Sequence, residues 1–226
     1  MRTYLRQVWA IVRKDVLQEL RTRQRLATMG SFAVLVAVLF NYSVDPTVVR
    51  IQEIAAGLLW MTLIFTGVMG VGRTFQLEAE DGAFDGILLS PIPRDAVYLA
   101  KVLSNTLIVG AVTLLTLGAF GLFFQLDYGT HPFALGLVLL LGGLGFVALA
   151  TLFGAVAAAT RLGDTLLPVL LFPLLVPVVI FGVGATARLL MARPLVEVEG
   201  QIRMLGAFAT AAVALGAVLF RFVVED

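Results

Sequence analysis

Cysteine is absent from this 226-residue chain. That excludes disulfides, thiolate metal sites and covalent cofactor attachment through Cys-x-x-Cys-His. Histidine occurs once, at His131, so a general base for serine-type hydrolysis is hard to supply. Charge is also scarce, at 14% of residues, where ordinary soluble domains are nearer a quarter. No Gly-rich phosphate loop of the Walker type is present, and so little aqueous sequence leaves no room for a nucleotide-binding domain. If ATP is used, it is bound by a partner. A net charge of +1 gives no reason to expect a nucleic-acid partner.

What is present is apolar: 60% of the residues are hydrophobic and the mean hydropathy is +0.99. This composition predicts an all-α, polytopic membrane protein. A hydrocarbon layer of about 30 Å needs about 20 apolar helical residues. The charge-free runs are 26–44, 54–72, 102–126, 132–160, 165–187 and 204–220, giving six predicted spans. Bases are distributed unevenly between the intervening segments. With the N-terminus inside, twelve fall on the inner side and four on the outer, which places both termini in the cytoplasm. The N-terminal segment does not read as a cleavable signal, because its seven bases are spread over 25 residues and no small-x-small site follows the first run.

Residues 1–25 predict an amphipathic helix in the headgroup plane. Tyr4, Leu5, Val8, Trp9, Val12, Val16 and Leu20 share one side, and Arg2, Arg6, Arg13, Lys14, Arg21 and Arg25 take the other. Asp15 and Glu19 fall on the apolar side, where a carboxylate against lipid is costly, so they are expected to face protein or to pair with an Arg. The fourth run carries Gly136, Gly142, Gly143, Gly145, Ala150, Gly154 and Ala158. Small residues at such spacing let helices approach closely, either within the chain or between subunits. Pro168, Pro173 and Pro177 are expected to kink the fifth span.

The predicted spans lack Asp, Glu, Lys, Arg and His in their interiors, which argues against proton- or sodium-coupled transport and charged selectivity rings. Charge collects instead in residues 73–101, with five acids and three bases around a short apolar patch. Here Glu78, Glu80, Asp81 and Asp85 accompany Gly82, then Ile87, Leu88 and Leu89, and Pro91 stops the helix. A short helix with an apolar edge and acid flanks suits a groove on a soluble partner. Anionic lipid would repel it. The acids do not form a metal-bound phosphotransferase set, and no metal site is expected. His131, in a short outer turn before Pro132, reads first as a surface residue and remains the one histidine candidate for haem.

This arrangement resembles the permeases of ABC-2-type exporters. The family pattern Glu-x-x-x-Gly-[ST]-x-[DE]-x-Leu-x-x-x-Pro is met here by Glu78, Gly82, Asp85 and Pro91, with Ala83 in place of the hydroxyl residue. Two further stretches are similar to the haem exporter B subunits (CcmB-type) of cytochrome c maturation. One is the second span, which enters at Ala-Ala-Gly-Leu-Leu-Trp60 and leaves through Arg73-Thr-Phe75; the other is the Pro173/Pro177-bearing fifth span.

The resemblance implies a single permease domain over 1–226, with an interfacial helix at 1–25 and a cytoplasmic coupling loop at 73–101. It also implies a prokaryotic inner membrane location and haem as the handled ligand, with no firmly bound cofactor. The implied partners are a cytoplasmic A-type ATPase carrying the ATP, a second copy of the chain, C-type and D-type membrane subunits, and membrane lipid. The chain itself would be non-catalytic. A generic exporter of a lipid or hydrophobic compound and a non-transporting scaffold stay open as alternatives.

Overall fold

The computed structural model describes residues 2–45, 49–80, 92–128, 131–159 and 163–224. Among these the chain is helical, in eight segments: α1 (Arg2–Thr22), α2 (Gln24–Ser43), α3 (Ile51–Glu80), α4 (Arg94–Phe124), α5 (Pro132–Ala159), α6 (Gly163–Leu174), α7 (Val176–Leu190) and α8 (Val196–Val224). Five helices (α2, α3, α4, α5 and α8) are long and apolar enough to cross a membrane, and α6 with α7 makes a sixth span if the bent pair is counted as one. The protein is an all-α membrane protein.

α5 and α8 pack along each other most extensively, and α3, α4 and α7 close around them. Bulky rings enter gaps left by glycine. The Tyr98 ring of α4 lies against Gly216 of α8, and its hydroxyl donates to the Ala148 carbonyl of α5 at 3.0 Å. The small residues of α5 serve packing within the chain: a Cβ at Gly142 would overlap Trp60, and one at Gly145 would press on Phe208 at 2.8 Å. Gly136 and Gly143 meet nothing within 4 Å and open onto an apolar groove between α4 and α5.

Two features depart from the charge-free runs. First, the fifth run is not one kinked helix. α6 holds Pro168 and Pro173, and α7 begins next to Pro177; the two meet at 55° across Leu175. Two successive prolines remove two helical donors and crowd the preceding carbonyls, so the axis breaks. Leu175 N–H still reaches the Leu171 carbonyl at 3.1 Å, and Val179 N–H reaches that of Leu175 at 2.9 Å, which keeps the corner hydrogen-bonded. Second, α3 and α4 have 30 and 31 residues, about 45 Å each, so both overshoot a 30 Å hydrocarbon layer. The extension of α4 runs back through Lys101 to Arg94, and Lys101 is therefore a helix residue of the bundle rather than the end of a loop.

Candidate functional site

Where α1 turns into α2, Arg23 adopts a left-handed conformation with φ 54° and breaks the helix. The corner needs an acceptor for the first N–H groups of α2, and Arg23 supplies no side-chain cap. Glu19 of α1 does this instead: its Oε1 accepts the Leu26 N–H at 2.9 Å, while Oε2 accepts Arg25 Nε at 2.8 Å. One carboxylate thus braces both sides of the corner.

From there a polar chain runs through the interior. Arg25 Nη1 donates to Thr74 Oγ1 of α3 at 2.6 Å and to Asn105 Oδ1 of α4 at 3.3 Å. Thr74 in turn donates to Asn105 Oδ1 at 3.0 Å, and Asn105 Nδ2 donates to Thr151 Oγ1 of α5 at 3.3 Å. One helical turn along α1, Asp15 Oδ2 accepts Lys101 Nζ at 2.9 Å and Ser104 Oγ at 3.2 Å, and Oδ1 lies 3.2 Å from Lys14 Nζ. Asp15, Glu19, Arg25 and Lys101 are all buried, Lys101 completely. Two carboxylates are matched by two buried cations, and the hydroxyl and amide groups take up remaining bonding capacity. Such burial is tolerable only with this degree of pairing.

The protein interior therefore holds two buried ion pairs, although Arg25 and Lys101 stand just before the apolar runs 26–44 and 102–126, which themselves stay free of charge. Asp15 and Glu19 face protein; Glu19 pairs with an arginine and Asp15 with a lysine. Hydropathy does not single out this set: Lys101 closes an apolar run from outside, and Thr74, Asn105 and Thr151 are uncharged residues that do not interrupt one. The available signal was the i, i+3, i+4 spacing of Lys101, Ser104 and Asn105, which puts three polar groups on one helical face.

α1 is also tied to the first turn of α4, where Tyr4 donates to Asp95 Oδ2 at 2.8 Å. Partial burial, the bond to Asp95 and the negative charge of Asp95, in that order, push the Tyr4 hydroxyl from the ordinary 10 up to about 12. Because the folded value is raised, this attachment is complete below pH 10 and is lost as pH rises through about 12. A tyrosinate absorbance titration of the native chain, minus that of Tyr4→Phe, should show its step near 12. A step at 10 would mean that the bond does not form in solution.

α3 ends at Glu80 and α4 begins at Arg94, so these two anchored helices flank the acid-rich segment. Asp81, Gly82, Asp85, Ile87, Leu88, Leu89 and Pro91 lie outside the described residues, and Glu78 and Glu80 are described only as backbone of α3. Arg13 and Arg21 sit on the exposed face of α1, away from the buried network.

A second anchor lies deeper in the bundle. Trp60 of α3 is 1% exposed, and its Nε1 donates to Thr186 Oγ1 of α7 at 2.9 Å. Its ring occupies the space that a Cβ at Gly142 of α5 or Gly182 of α7 would take. His131 is half-buried just before α5, about 30 Å along that helix from Thr151. Among the described residues no three His, Cys, Asp or Glu side chains group to hold a metal ion.

One family model matches nearly the whole chain, and curated relatives match about half of it. The family described as CcmB protein matches residues 6–225. Heme exporter protein B of Escherichia coli (strain K12) is 29% identical over 102 residues, which are 45% of this chain and 46% of that relative. The protein of the same name from Paracoccus denitrificans (strain Pd 1222) is 32% identical over 110 residues, 49% of this chain and 50% of the relative. That of Rhodobacter capsulatus is 29% identical over 133 residues, 59% and 61% respectively. The matched stretch spans about half the length of these curated relatives.

Proposed function

Because the chain belongs to the CcmB protein family, we propose that it is the permease subunit of an ABC-type complex that delivers or exports haem for cytochrome c biogenesis. The agreement over residues 6–225 carries this reading. The complex lies in a bacterial inner membrane with both termini of this chain in the cytoplasm. ATP is hydrolysed on a separate A-type subunit, and a second copy of this chain and C-type and D-type membrane subunits complete the assembly. This chain performs no covalent chemistry.

Residues Glu78, Glu80, Asp81, Gly82, Asp85, Ile87, Leu88, Leu89 and Pro91 form the ATPase contact in this reading. The anchoring of α3 and α4 supports it. Thr74 and Asn105 are bonded to each other and to Arg25, while Tyr4 and Asp15 tie α1 along α4. A push on the segment between these helices would be shared among α1, α2, α3, α4 and α5 instead of dissipating in one helix. The output is haem transfer or release of a haem-loaded chaperone.

Glu80→Lys combined with Asp85→Lys should abolish stimulation of the partner ATPase while membrane insertion and complex assembly persist. Undiminished stimulation in that variant would reject the contact. A Soret absorbance in the purified complex supports haem as the ligand. Co-purified lipid without haem would instead favour a generic lipid exporter.

A further inference from the structure

The sequence places Tyr4, Leu5, Val8, Trp9, Val12, Val16 and Leu20 on one side of α1, but the structure divides them. Ile11 and Val12 are buried, and Val8 and Val16 pack beside them against the core. Leu5, Trp9 and Leu20 are left out, at 60%, 62% and 55% exposure. Spaced by four and eleven residues, these three form a second stripe along the helix, about 100° from the row of Asp15 and Glu19. Arg6 and Arg13 border Trp9, and with Leu5 and Ala10 they enclose a shallow hollow.

The charge on this outer face is one-sided for a structural reason. Both carboxylates of α1 turn inward, Asp15 to Lys101 and Glu19 to Arg25. Arg6, Arg13, Arg21 and Arg23 have no ion-pair partner among the described residues and are exposed. The acids that could have neutralised them are consumed in the interior. An apolar stripe centred on a tryptophan and rimmed by unpaired guanidinium groups matches one chemistry well: phosphate-bearing, negatively charged headgroups above acyl chains. Trp prefers the boundary between the two, with its apolar body on the acyl side.

We infer that the outer face of α1 is a binding surface selective for anionic phospholipid, with Arg6 and Arg13 on the headgroup phosphates and Trp9 seated between them at the acyl boundary. This goes beyond a helix that merely rests on a membrane, because it predicts discrimination by headgroup charge at named residues. It does not depend on which ligand the assembly handles. It also gives the inward ion pairs a further consequence, since they set the charge of the opposite face.

The test uses the full chain in nanodiscs containing brominated phosphatidylglycerol or brominated phosphatidylcholine, read by quenching of tryptophan fluorescence. The chain has two tryptophans, and Trp60 is 1% exposed inside the bundle, so Trp9→Phe isolates its constant background. Trp9 should be quenched at a much lower mole fraction of brominated phosphatidylglycerol than of brominated phosphatidylcholine. Arg6→Gln and Arg13→Gln should each reduce that preference by about fivefold, and added salt should reduce it further. Neither arginine has a described partner within the chain, so both variants should keep the fold, checked by an unchanged helical circular dichroism signal. Equal quenching by the two lipids overturns the selectivity. Absence of Trp9 quenching in either lipid also overturns the proposal, because it would mean that a protein surface, a second copy or another subunit, covers this face.

Discussion

Lys101→Met should cost about 3–5 kcal/mol of stability, among the largest losses available to a single substitution in this chain. The methionine fills a similar volume, but Asp15 then remains buried, holding Ser104 and leaning on the half-exposed Lys14. An uncompensated carboxylate in that position draws α1 away from α4. The expected signs are a lower thermal midpoint in detergent and faster proteolysis of α1. The paired variant Asp15→Leu with Lys101→Met should recover most of the loss, because replacing both ions of a buried pair by apolar groups is often neutral. A single variant as stable as the native chain would show that the pair is solvated in the membrane. A double variant worse than the single would show that packing, rather than charge, holds the corner.

Trp60→Ala should cost a comparable amount, about 3–5 kcal/mol, through the cavity it leaves. The indole touches α3, α5 and α7 at once, because Gly142 and Gly182 both give way to it. Its loss also leaves the buried Thr186 hydroxyl without the indole donor. α7 follows the break at Leu175 and depends on such lateral contacts for its position. Trp60→Phe keeps most of the ring volume and forfeits the hydrogen bond, for about 1 kcal/mol. Thermal unfolding of the two variants side by side separates these contributions. Equal losses would assign the effect to the Trp60–Thr186 bond.

The membrane architecture was legible in the sequence because the bilayer imposes a length on every apolar run. Runs near 20 residues stand out whatever they pack against. The break in the fifth run was partly legible, since three prolines within ten residues announce lost donors, but not the angle they produce. The buried network was less visible. Asp15 and Glu19 could be suspected because they interrupt an apolar face. The Arg25 partner of Glu19 is only six residues away, but Lys101 lies 86 residues from Asp15 and Thr74 lies 49 from Arg25, so the rest of the network is not marked locally. Pairing over such distances is decided by how helices meet, and hydropathy carries no information about that. Trp60 tells a similar story: the slot it fills is built from two glycines on two other helices, and although Gly142 belongs to a row of small residues, nothing in that row says which ring enters it.

In the proposed coupling, the overshoot of α3 and α4 would act as a lever. With about 45 Å of helix and about 30 Å of hydrocarbon, some 15 Å can project beyond the bilayer in each. Thr74 lies about 9 Å from the end of α3 and Asn105 about 16 Å from the start of α4; bonded to each other and to Arg25, they would serve as the fulcrum in the proposed coupling. A tilt of about 10° would displace a tip 15 Å away by roughly 2.6 Å, about half a helical pitch. On the far side of the fulcrum the same tilt is spread over the longer arm, where Trp60 pins α3 to α5 and α7. In the proposed coupling, a small rotation at the projecting ends would become a shear between helices deep in the bundle.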